Sequence, residues 1–305
     1  MFEILIGGCL RAVYVLPLLL GFAVVARHGR YLPLWLPQVG TLAAYTAYVL
    51  AERCQWRTGF SVVGAVTVVV VGAMVLHRLL FARFVERRQP YPSLIRSIAI
   101  IVIVQAFLGL LTGGYALSYL RMTSTWQIFV GPPVNDTLRV PDLIALAIAL
   151  VAPAVLRPLI ERTRFGLSYR AVASSRSLAH EYGLPVVIVD RGVLFLGSVL
   201  SAVGGIVYGL HYGLSPDMLT APTLDVVAVV VAVGSERLWS ACLLLIGVGV
   251  LQSFCQASAA ISSFEYAVSY VVLAFGLAMH HLFLPSWRAA TWRFGVRGRA
   301  AGSTV

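Results

Sequence analysis

The sequence predicts an all-α fold, a polytopic transmembrane helical bundle with about eight long spans and one short or discontinuous membrane segment. Two compositional observations carry this. Of 305 residues, 59% are hydrophobic and only 11% charged, with a mean hydropathy of +0.88, where soluble domains carry roughly a quarter charged residues. Apolar runs near twenty residues, long enough to cross a hydrocarbon core of roughly 30 Å, recur along the chain. The short alternating strands of a membrane β-barrel are absent from the sequence.

The long runs lie at about 8–26, 31–51, 58–81, 94–119, 140–160, 191–213, 238–256 and 265–284, with a short one at 224–234. The first, within "MFEILIGGCLRAVYVLPLLL", lacks a basic leader and a small-residue cleavage pattern, so it reads as an uncleaved span. The short run has 11 residues, too few to cross alone at 1.5 Å per residue, and Ser235-Glu236-Arg237 follows directly. It is either half of a discontinuous helix lining a cavity or a short tilted span. Residues 1–285 form the transmembrane domain, with a polar cytoplasmic loop at about 161–190, and 286–305 form an Arg-rich cytoplasmic tail.

Loop charge sets orientation. The net charge is +11, and every one of the 23 basic residues is Arg, a bias that points to a GC-rich bacterial genome. The arginines cluster between spans, at 27–30, 82–93, 157–190 and after 285, which places these regions and the C-terminus in the cytoplasm and the N-terminus outside the inner membrane. The same distribution argues against a nucleic-acid partner and for the lipid membrane. Segments 121–139 and 214–223 are poor in Arg and rich in turn residues, so they face outward.

Several chemistries are excluded. There is no HExxH, GxSxG or GxxxxGK[ST] pattern, so no catalytic residue and no phosphate-cradling ATP site is expected. Cys9, Cys54, Cys242 and Cys255 show no CxxC spacing and read as free thiols. His280 and His281 are adjacent, point about 100° apart on a helix and do not chelate a metal. Among the few polar residues in or near spans, Asp225 and Glu265 sit at span ends, where interfacial water would solvate them. No paired intramembrane acids for ion coupling are evident. Gln105 lies deeper, where it either bonds a neighbouring helix or lines a solute path. His211 and Gln252 complete this set.

The polar stretch "YRAVASSRSLAHEYGLPV" (169–186) reads as a helix over 168–182. Ser168 can cap it, Ala171, Ala173 and Ala179 favour it, Gly183 supplies a left-handed terminus and Pro185 stops continuation. Val172, Ala179 and Tyr182 share one face, with Arg170, Arg176 and Glu181 as charged rim contacts. Periodicity alone fits an ordinary juxtamembrane helix.

Residues 166–213, "GLSYRAVASSRSLAHEYGLPVVIVDRGVLFLGSVLSAVGGIVYGLHYG", add a second reading. Arg170-Ala171-Val172, followed after about a dozen residues by Gly183-Leu184, and then the group Gly204-Gly205-Ile206-Val207-Tyr208-Gly209, resemble the permease subunits of branched-chain amino acid ABC importers. The stretch 78–114, including Gln105, is similar to that family's basic loop and following span. Two regions depart from the pattern. "LPLWLPQVG" (32–40) stands where the family has an Asn-Phe-Ala-His-Gly-like group, and "VVAVVVAVGSERLW" (226–239) keeps only Gly234-Ser235 of a glycine-rich run.

The resemblance implies an ATP-driven importer with a second permease subunit, two cytoplasmic ABC ATPase subunits that bind the ATP and Mg, and an extracytoplasmic solute-binding protein. This chain would bind no cofactor itself. Arg170, Ala171, Val172, Arg176, Ala179, Glu181, Tyr182 and Gly183 would form the helix that couples ATPase closure to the spans. A solute path would pass near Gln38, Gln105, Tyr208, Gly234 and Ser235. No Arg is placed at mid-membrane to hold a solute carboxylate, which leaves a discontinuous helix N-terminus as its holder. Branched-chain amino acids are the family default, and relatives carry urea, short amides and other amino acids. The rival readings are a non-ABC channel, a secondary transporter or a membrane scaffold.

Overall fold

A computed structural model of the chain describes residues 2–29, 32–80, 90–117, 119, 140–234, 238–257 and 267–283. Its described elements are helices: α1 Phe2–Gly29, α2 Leu36–Tyr48, α3 Thr58–Leu80, α4 Pro90–Thr112, α5 Val140–Arg162, α6 Arg164–Ser174, α7 Arg176–Glu181, α8 Val186–Tyr212, α9 Thr220–Val233, α10 Leu238–Ala257 and α11 Ala267–Phe283. Among the described residues the β-structure is one isolated bridge, Leu117 to Leu214.

Six helices (α1, α3, α4, α5, α8 and α10) are long and apolar enough to cross a membrane. The run at 31–51 becomes a 13-residue α2 extended by a five-residue π turn, Val49–Arg53. Pro33 holds the chain in a turn and Pro37 stands in the first turn of α2, where its missing N–H costs nothing. The run at 94–119 ends early, because Gly113 and Gly114 take φ of +64° and +78° and leave the helix. The short run at 224–234 is α9, whose 14 residues rise only about 21 Å.

α1 and α8 form the spine. α1 packs against α10, α8 and α5, while α8 also carries α2 and α3. Lipid offers no hydrophobic drive between helices, so close backbone approach at small residues does the packing. Gly205 shows this most clearly: a Cβ there would stand 2.2 Å from the Gly40 carbonyl oxygen, and one at Gly40 would stand 2.7 Å from the Ser201 oxygen. The Ser201 hydroxyl donates to the Leu36 carbonyl at 2.7 Å, fixing the start of α2 on α8. α9 lies on α11 and α10, and its Asp225 is 6% exposed. The expected interfacial solvation of Asp225 is therefore corrected. Its carboxylate accepts from the Gln252 amide of α10 at 2.9 Å and from the Ser269 hydroxyl of α11, partners that replace water. Glu265 lies outside the described residues.

Candidate functional site

The polar stretch between α5 and α8 folds as two helices, which corrects the single helix expected at 168–182. Thr163, rather than Ser168, is the cap: its hydroxyl accepts from the Gly166 N–H at 3.1 Å. Ser168 lies inside α6, its hydroxyl bonded back to the Arg164 carbonyl at 3.2 Å. The start moves upstream because Gly166 nests on the end of α5, where a Cβ would meet the Ile160 oxygen at 2.2 Å. Ser175 then takes an extended conformation (φ −151°, ψ 108°) and divides α6 from α7. At the far end Gly183 has φ +74°, with Gly183 N–H bonded to the His180 carbonyl and Leu184 N–H to the Ala179 carbonyl, each at 3.0 Å. That pair of bonds is a Schellman motif, so the glycine terminus expected from the sequence is present.

The two helices are bolted to the spine by buried and half-buried polar contacts. Tyr169 is 1% exposed. Its hydroxyl donates to the Val24 carbonyl of α1 at 3.0 Å, its ring stacks on His28 at 5.5 Å, and the Arg27 guanidinium lies 5.8 Å above it. Burial pushes the phenol pKa above its ordinary range, with Arg27 opposing, so the hydroxyl stays a donor. From α7, Arg176 donates to both Asp190 oxygens of α8, at 3.1 and 2.5 Å, and His28 Nε2 meets the same carboxylate at 2.6 Å. A bidentate guanidinium–carboxylate pair fixes direction as well as distance. α6, α7, α1 and α8 thus meet at one Asp190-centred clamp.

The other residues of this stretch divide between inward and outward. Val172 and Ala179 are buried, while Tyr182 is 84% exposed; the break at Ser175 turns α7 and removes Tyr182 from their shared face. Arg170, Ala171 and Glu181 do not join the buried set, and Arg170 donates to the Glu161 carbonyl at 3.3 Å. Arg176 is not a rim contact but half of the clamp.

The proposed path residues are dispersed. Gln38 is buried on α2 at the α8 contact. Gln105 donates to the Thr220 hydroxyl at the start of α9 at 2.9 Å, a bond between membrane helices. Tyr208 packs its ring against Tyr212 with centroids 4.5 Å apart. Gly234 ends α9 with φ +84°, and Ser235 lies outside the described residues, as does the tail 286–305. None of these residues lines either of the two cavities described for the chain.

Two clusters escaped the sequence reading. Asp142 at the start of α5, 4% exposed, accepts from the Tyr14 hydroxyl at 2.5 Å and meets His211 Nδ1 at 3.2 Å, with Tyr14 and His211 rings stacked at 4.5 Å. The second is the Asp190 clamp itself. In sequence Asp142 falls at the start of the run 140–160 and Asp190 looks like a loop charge just before the run 191–213. Their signal is position: each sits at the leading edge of an apolar run, opposite a histidine on another run.

The family model for the branched-chain amino acid transport system permease component matches residues 10–277. The chain belongs to this family. The permease is thus a multi-pass membrane protein of a transport system, and the resemblance carried by residues 166–213 is confirmed. No curated protein matches it. Among solved structures, a chain of PsaBC from Streptococcus pneumoniae in complex with Fab matches with 11% identity and a TM-score of 0.47, covering 88% of this chain and 89% of that one.

Proposed function

We propose that the permease is the membrane subunit of an ATP-driven importer for branched-chain or related amino acids. In this reading it pairs with a second permease subunit, receives solute from an extracytoplasmic binding protein and is driven by two cytoplasmic ATPase subunits that carry the ATP and Mg. It sits in a bacterial inner membrane with α6 and α7 in the cytoplasm, where the clustered arginines belong. The observation that carries the reading is the Asp190 clamp. It ties the exposed helix pair to both spine helices through one buried and several half-buried polar contacts, so a push on α6–α7 moves α1 and α8 together.

Reconstitution of the permease in vesicles, with and without candidate ATPase subunits, a second permease and a binding protein from the same genome, tests this. Uptake of leucine-class amino acids is expected only with all components and internal ATP. Urea or a short amide taken up instead would move the substrate class and leave the importer intact. A secondary transporter is the second reading, supported by the two buried acids Asp142 and Asp225, because intramembrane carboxylates serve proton and ion coupling. ATP-independent uptake by the permease alone, abolished by a proton uncoupler, would establish it and end the importer reading.

A further inference from the structure

α5 and α10 each pack on α1 rather than on one another. At the end next to α6 the gap between them opens into a cavity of about 440 Å³. Its lining is mixed, with charged and apolar groups. Arg27 of α1, Arg157 and Glu161 of α5 and Arg170 of α6 are its charged groups, and Leu20, Leu156 and Cys242 are among its apolar ones. The Glu161 carboxylate is occupied by Arg157 at 3.0 Å. Arg27 lies over the Tyr169 ring, and Arg170, among the described residues, donates to a backbone carbonyl. The site therefore presents a net excess of two guanidinium charges, each a fork suited to phosphate oxygens.

The depth of these groups matters. Arg27 lies in the last turn of one membrane-length helix and Arg157 in the turn before the last of another, near where hydrocarbon gives way to headgroups. Trp239 of α10 borders the cavity half exposed, with Arg157 5.8 Å from its ring, in the amphipathic position tryptophan takes at a bilayer interface. One turn further into the bilayer along α10, Leu243 is 69% exposed, continuing the apolar surface of α10 beyond Trp239. A soluble phosphate would use only the arginines. A phospholipid uses both kinds of lining, and among the described lining residues the one carboxylate, Glu161, is already paired with Arg157 rather than open to a zwitterionic headgroup's amine.

We infer that this cavity binds an anionic phospholipid, its phosphate on Arg27, Arg157 and Arg170 and an acyl chain in the gap between α5 and α10. Basic pockets between membrane helices take anionic headgroups elsewhere on the same physical grounds. The inference does not depend on what the permease transports or on what drives it.

The test uses the full-length permease in phosphatidylcholine nanodiscs doped with acyl-brominated lipid, read by quenching of tryptophan fluorescence. Brominated phosphatidylglycerol at low mole fraction is expected to quench a component that brominated phosphatidylcholine does not, and Trp239→Phe to remove that component. The triple variant Arg27→Gln, Arg157→Gln, Arg170→Gln should weaken the preference by about tenfold or more, as attraction of about 1 kcal/mol per basic residue implies. Arg157→Gln alone, which removes an exposed i,i+4 pair with Glu161 and the contact with the Trp239 ring but no buried packing, should weaken it without threatening the fold. Equal quenching by the two lipids, an unchanged preference in these variants, or loss of the component on adding millimolar inorganic phosphate would each overturn the assignment.

Discussion

Asp190 is the residue on which the coupling region turns. Its carboxylate holds Arg176 and His28 at once, and the side chains of Arg176 and Asp190 are only 24% and 20% exposed. Asp190→Asn keeps the shape and removes the charge, leaving the guanidinium without its counter-ion. The expected cost is about 2 kcal/mol of stability, the scale of a hydrogen bond to a charged group. Thermal unfolding in detergent checks this, and Asp190→Asn should also lower transport per ATP hydrolysed while the permease still inserts. An unchanged ratio would remove Asp190 from coupling. At this scale the sequence was partly opaque. Asp190 stood beside Arg191 and counted as one more loop charge, because nothing in its neighbourhood names His28, more than a hundred and sixty positions earlier. Asp225 misled for the same reason: a carboxylate near the end of a short apolar run looks solvated until Gln252 and Ser269 are seen to close around it.

Among the elements, the α6–α7 pair was legible in kind and misjudged in form. Gly183 and Pro185 marked its end correctly, since a left-handed glycine followed by proline leaves a helix little alternative. Its start and its break were not marked, because Thr163 and Ser168 are equally good capping residues and the choice between them was made by Gly166 nesting against α5. Reversing the charge at Arg170 (Arg170→Glu) together with Gly183→Val should uncouple ATP hydrolysis from uptake. Arg170 is exposed and holds a backbone carbonyl at the end of α5. A β-branched residue at φ +74° costs more than the roughly 1–2 kcal/mol of an ordinary left-handed residue and would unseat the Schellman end. ATPase activity that persists while uptake falls is the expected pattern; unchanged uptake would mean the pair does not transmit the stroke.

For the whole molecule, helix class and most span positions followed from apolar run length alone, which is the strongest signal a bilayer imposes on a sequence. The arrangement of those spans did not, because it depends on which glycines face one another. Gly205 and Gly40 meet with no room for a Cβ on either side, yet Gly40 sits in "LPLWLPQVG", a stretch notable in sequence only for leaving the family's pattern. Gly205→Val should separate α8 from α2 and cost about 1–3 kcal/mol or more, as overpacking of a tight interface does. A Gly247→Val control faces open space and should leave the melting temperature of the purified permease unchanged. A Gly205→Val protein as stable as the parent would show that α2 can ride elsewhere on α8.

The glycine contact between Gly21 of α1 and Gly197 of α8, where a Cβ on α1 would stand 2.7 Å from the α8 backbone, carries a consequence for biosynthesis. α1 leaves the ribosome long before α8 exists, so the helix that ends as the most enclosed in the bundle must first wait in lipid without its mate. Its sequence suits that wait: an 18-residue stretch within Leu5–Gly29 has a mean hydropathy of 2.2, and a helix of that character rests in a bilayer whichever way it is turned. Assembly then proceeds outward from a partner that arrives late. In a truncation ending before residue 186, α1 should stay inserted, and a cysteine introduced at Gly21 should react with a membrane-permeant maleimide that does not reach it in the full-length permease.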